Sequence, residues 1–197
     1  SRAIEIAREA AGDRAFVAAS LSVAGLEGST SDDRADEYRR QTELFRSLGV
    51  DAIVVETMTS IDELRRAVRA ANAVRGGIPL IGCMSFDADL RSVDGTLPEE
   101  MAWVLEDLGV DAVGVNCCDG PETAQSVVEA LARATDLPIW AKPNAGLPGA
   151  RVGGFGDGLV QRGDLARQAV QLVLFGCRQR TGAAGTPRCQ PFEQRPR

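Results

Sequence analysis

The chain has 197 residues, 28 acidic against 22 basic side chains for a net charge of −6, five Cys and no His. Length indicates one domain, and an acidic balance with a single Lys at position 142 argues against nucleic acid or an anionic membrane as partner. The lack of His excludes Ser-His-Asp and Cys-His nucleophile schemes within this polypeptide, and any metal must sit on Cys, carboxylate or amide oxygen.

Residues 1–12 read as an amphipathic helix without a signal-peptide core, and no run reaches the roughly 18 apolar residues of a membrane span. A cytoplasmic protein is expected. The Cys at 83, 117, 118, 177 and 189 are odd in number and unevenly spaced, so they read as thiols or ligands rather than as a disulfide framework. Apolar, β-branched runs follow at Phe16–Val23, Ala52–Val55, Ile78–Met84, Ala112–Asn116 and Pro138–Ala141, their starts about 26 to 36 residues apart. That interval holds one strand, one helix and two loops, which predicts parallel strands with right-handed crossovers.

Between the strands, Ser60 with Glu63 is expected to form a capping box, with Ile61, Leu64, Val68 and Ala71 on one helix face. Pro98 and Pro121 suit first helical turns, and Gly49 and Gly109 suit helix ends. Leu48-Gly-Val-Asp-Ala52 recurs as Leu108-Gly-Val-Asp-Ala112, each closing a helix and opening a strand. No Gly-rich phosphate loop follows the first strand, so a barrel is favoured over a doubly wound sheet. At 197 residues the expected fold is an incomplete (β/α)8 barrel of about six of eight units spanning 1–177. Absent units would expose sheet edges, predicting instability, association or need of a partner segment. Residues 178–197, with five Arg, one Glu and three Pro, read as a disordered basic tail. The Gly-rich stretch Val152–Gly158 reads as a flexible loop, with phosphate binding as the weaker alternative.

In parallel α/β folds function gathers at the carboxyl ends of the strands. Glu56-Thr57, Ser85, Asn116-Cys117-Cys118 and Lys142-Pro143-Asn144 are therefore the candidate rim. Of the vicinal Cys117 and Cys118 one should face the rim and the other pack, because successive side chains alternate, and Cys83 should be core.

Val55-Glu-Thr57, Met84-Ser-Phe86 with Asp94-Gly95, Gly114-Val-Asn-Cys117 and Lys142-Pro-Asn-Ala-Gly-Leu-Pro148 together resemble the homocysteine S-methyltransferases, most nearly the homocysteine-binding barrel of cobalamin-dependent methionine synthase. The resemblance implies a zinc-activated homocysteine thiolate that accepts a methyl group to give methionine. By position, Cys117 would ligate zinc, Glu56 would hold the substrate ammonium, and Asn144 would lie beside the metal in the substrate pocket. The donor would be methylcobalamin, betaine or S-methylmethionine, and the partner a cobalamin or folate domain or a reductase on another chain. The family's terminal Cys-Cys pair aligns in two ways. One places Ala183 and Ala184 at the two thiolate positions; the other takes Leu172–Cys177 as a strand and keeps Cys177 as a second metal ligand. Either leaves the zinc set depleted, so the alternative is a catalytically impaired remnant or an amino-acid-binding module without functional zinc.

Overall fold

The computed structural model describes residues 2–22 and 30–144. Five strands alternate with five helices among them: α1 (Arg2–Ala11), β1 (Ala18–Leu21), α2 (Ser31–Ser47), β2 (Ala52–Met58), α3 (Ile61–Val74), β3 (Leu80–Met84), α4 (Pro98–Asp107), β4 (Ala112–Asn116), α5 (Pro121–Ala134) and β5 (Ile139–Lys142). All neighbouring strands are parallel, in the spatial order 1-2-3-4-5. A doubly wound sheet reverses its strand order part-way; this one does not, so the described residues form five consecutive units of an incomplete (β/α)8-type barrel. The remaining expected unit, the Gly-rich stretch and the basic tail lie outside the described residues. No helix among those described is long and apolar enough to cross a membrane.

One face of the sheet packs on the helices. Leu21, Ile53, Val55, Leu80, Val113 and Val115 meet Leu64, Val68, Met101, Leu105, Val127 and Leu131 in one buried cluster. The other face carries the alternate positions, where Val54, Ile81 and Cys83 are buried with Ala18, Ala112 and Trp140 against them. Burial on both faces is why these strands read as continuous apolar runs. Gly114 has no room for a side chain on this second face: a Cβ would collide with the Trp140 carbonyl and lie 2.8 Å from Cys83 Sγ.

Several local expectations hold. Pro98 and Pro121 open α4 and α5, and Gly49 and Gly109 follow α2 and α4 in the left-handed conformation, with φ of 65° and 72°. Two boundaries differ. Phe16 is not in β1 and is 87% exposed, and β2 runs on to Met58 through an irregular register after Val55.

The capping box at Ser60 does not form; the Ser60 side chain makes no cap bond. Its partner Glu63 instead accepts from Tyr38 Oη at 2.7 Å and pairs with Arg34 and Arg66. The start of α3 is capped from a distant loop, where Asp94 Oδ2 accepts from the Ile61 N–H at 2.7 Å. Burial works to raise the Asp94 pKa, but the hydrogen bonds from Ser92, the Ile61 N–H and Thr96 outweigh it and hold the carboxyl at about 2.

The pentapeptide repeat has one physical role in both copies. Asp51 and the residue before β1 clasp each other: the Asp51 N–H donates to Val17 O at 2.8 Å and its carboxylate accepts from the Val17 N–H at 2.7 Å. Asp111 does the same to Leu80, with both bonds at 2.9 Å. Each Asp is also held by an Arg that reaches the carbonyl of the helix-ending Gly, Arg8 for Asp51 and Gly49, Arg75 for Asp111 and Gly109. The repeat thus clamps adjacent strands at their amino ends, away from the candidate rim.

Candidate functional site

At the carboxyl ends of the strands the alternation of β2 and β5 puts Glu56 and Lys142 on the face turned away from the helices. β2 and β5 are three positions apart, roughly 14 Å in a flat sheet at about 4.8 Å per strand. Yet Lys142 Nζ lies 2.5 Å from Glu56 Oε2. The sheet therefore curls toward this face, as a barrel wall must, and the two side chains bridge across its concavity. Ser20, on β1, donates to Glu56 Oε1 at 2.6 Å. Glu56 is 8% exposed, a burial that acidic side chains tolerate only when paired.

Beside this pair, Asn116 ties the ends of β2 and β4. Its buried side chain accepts from the Thr57 N–H at 2.9 Å and donates to Thr57 Oγ1 at 2.8 Å and Cys117 Sγ at 3.3 Å. Thr57 Oγ1 is itself 3.6 Å from Cys117 Sγ. Thr57 and Cys117 both take left-handed backbone, with φ of 61° and 52°, a conformation that costs a β-branched or bulky residue and is kept here by the Asn116 bridge. The Cys117 N–H donates to Lys142 O at 3.3 Å and the Asn144 N–H to Cys118 O at 3.4 Å, so β4 and β5 deliver their terminal residues together.

The candidate residues thus gather on one rim: Glu56 through its bonded neighbour Thr57, Cys117, and exposed Asn144 through Cys118. Cys117 is exposed while Cys118 is buried, as alternation required. Burial raises the Cys118 pKa. Burial, and after it the Glu56 carboxylate, raises that of Cys83 against the pull of Lys142, so Cys83 stays a thiol in the core. Ser85, following β3, carries a buried hydroxyl with no hydrogen-bond partner among the described residues. Cys177 lies outside the described residues.

Lys142 and Asn116 stand in the sequence as strand-end residues without a role of their own. The signal for Lys142 was compositional, one Lys among 22 basic residues. For Asn116 there was none beyond its place before Cys117.

The profile of the homocysteine S-methyltransferase family matches residues 1–176. The chain belongs to the homocysteine S-methyltransferase family. It is 33% identical over 104 residues to the methionine synthase of Mycobacterium tuberculosis, covering 51% of this chain and 9% of that protein. It is 29% identical over 132 residues to the S-methylmethionine–homocysteine S-methyltransferase BHMT2 of Pongo abelii, covering 66% of this chain and 36% of that protein. The chain therefore spans about a third or less of these relatives. Among solved structures, the homocysteine methyltransferase MmuM of Escherichia coli in its apo form superposes with a TM-score of 0.60 at 22% identity, over 74% of this chain and 56% of that one, which supports the barrel fold.

Zinc fits the described residues incompletely. No cluster of three or more Cys, Asp or Glu suited to a metal occurs among them. Cys117 is the exposed thiol, Glu56 is taken by Ser20 and Lys142, and Cys83 is protonated in the core. A closed site takes about four ligands. The described residues alone do not make one.

Proposed function

We propose that the chain binds homocysteine at the carboxyl ends of its strands and directs a methyl group to its sulfur. The observation that carries this is the exposed Cys117 thiol, fixed by Asn116 and Thr57 at the strand ends that also carry the buried Glu56, in a chain of this family. Glu56 takes the substrate ammonium, Asn144 borders the sulfur end, and Cys117 with Cys177 supplies what thiolates the chain has for zinc. Zinc, when bound, lowers the pKa of a thiol at the site. In the transfer the homocysteine sulfur gives up its proton and attacks the donor's methyl carbon; the C–S bond forms as the bond to the donor breaks, and that electron pair leaves with the donor. The donor is methylcobalamin, betaine or S-methylmethionine, and a cobalamin or folate domain on another chain is the partner the first of these requires.

The test is incubation of the protein with homocysteine and each donor in turn, with methionine detected by mass spectrometry. Methionine formed with one donor supports the reading. Homocysteine that neither binds nor turns over contradicts it. The Glu56–Lys142 pair, whose two charges match those of an amino acid without a metal, is the ground for a second reading, an amino-acid-binding module without zinc. Homocysteine binding with near zero zinc per chain and no methionine would select it.

A further inference from the structure

We propose that Lys142 reads the α-carboxylate of the amino-acid acceptor: its closed ion pair with Glu56 opens so that Lys142 takes the carboxylate while Glu56 turns to the ammonium. This rests on the homocysteine reading and specifies how the acceptor is recognised.

The pair is an unusual use of charge in this chain. Of 22 basic residues Lys142 is the single Lys, and the carboxylates at the opposite ends of the strands are held by Arg. Arg offers a rigid fork that stays where it is placed, whereas Lys is a compact charge on a flexible stem that can swing between partners. Asp51 and Asp111 also hold backbone N–H groups, so their charges are committed. Among the described residues Glu56 has one hydroxyl, from Ser20, and otherwise only the Lys142 ammonium.

Removing two charges from water is costly, and a buried pair is weak support for stability by itself. At the mouth of a barrel the same cost prepares a site. An incoming amino acid carries the same two charges in reverse order, so one ion pair is exchanged for two and neither protein charge is left bare. A lone amine would satisfy Glu56 and strand Lys142; a lone acid would do the opposite. The hydroxyl of Ser85, just beyond the end of β3, the strand next to β2, is buried without a partner among the described residues.

The experiment is calorimetric binding to the intact protein of three thiols of like length: homocysteine, 3-aminopropane-1-thiol without the carboxylate, and 4-mercaptobutanoate without the amine. The wild-type protein should prefer homocysteine to either by about tenfold or more, the scale of one lost charged hydrogen bond. Lys142→Met, which keeps the stem, should weaken homocysteine by about tenfold and leave 3-aminopropane-1-thiol unweakened. Equal weakening of both ligands by Lys142→Met would make Lys142 merely structural and overturn the proposal. Tightening of both would make it a competitor for Glu56 and overturn it as well. Homocysteine that binds the wild-type protein without preference over the truncated thiols would refute the proposal alone; homocysteine that does not bind at all would remove the functional reading beneath it.

Discussion

The two ends of the same sheet solve the problem of a carboxylate in opposite ways. At the amino ends, Asp51 and Asp111 each receive a backbone N–H from the adjacent strand and an Arg that also grips a helix-ending carbonyl. Every partner there is fixed by the fold. At the carboxyl ends, Glu56 has a hydroxyl and a Lys on a flexible stem, although it is the most buried of the three. A saturated carboxylate holds strands together, and one with an exchangeable partner can hold something else. Parallel barrels place stability at one end and chemistry at the other, and here the difference is written in the choice of Arg or Lys.

The comparison can be strained first at the level that joins both ends. Gly114→Val should destabilise most, by about 3 kcal/mol, because a side chain would drive into the Trp140 backbone and Cys83 on a close-packed face. Urea unfolding measures it. A loss under about 1 kcal/mol would mean that this face has slack. Asp111→Ala should come next, at about 2 kcal/mol, by stranding the Leu80 N–H and Arg75, with homocysteine affinity unchanged within about twofold. A large affinity loss in that variant would break the division between the ends.

A smaller effect tests the loop that joins β3 to α4. Asp94→Asn should cost about 1 kcal/mol at neutral pH, the usual value of a helix cap. The sign follows from the lowered pKa. A carboxyl held at about 2 in the folded state, against about 3.9 when unfolded, contributes its full stability above pH 4 and loses it as pH falls through 2. The wild-type stability should therefore drop over that interval more steeply than that of Asp94→Asn; parallel curves would show that Asp94 does not titrate as the cap.

Much of the architecture was legible because its causes are local. Pro at first turns, Gly after α2 and α4, and β-branched runs at regular intervals each act within a few residues. The capping box failed for the converse reason: Glu63 had better partners in Tyr38, Arg34 and Arg66, and the vacant N–H at Ile61 was met by Asp94, far along the chain. The repeat was visible as a helix stop and strand start, but not its clasp on the neighbouring strand, since Arg8 and Arg75 lie at unequal distances from their Asp partners. The rim residues were legible as strand ends. Their wiring was not, because a Glu–Lys pair 86 positions apart and an Asn bridge between β2 and β4 exist only once the sheet has curled.

The central claim is that the Glu56 end of the sheet holds the amino-acid acceptor. Its most direct test is the homocysteine dissociation constant of Glu56→Gln beside that of the wild-type protein, with the unfolding midpoint of each as a fold control. The expected result is a dissociation constant raised by about tenfold or more, as for losing a charged partner, in a protein that still unfolds cooperatively at a lowered midpoint because Lys142 loses its partner. Equal dissociation constants for the two folded proteins would contradict it.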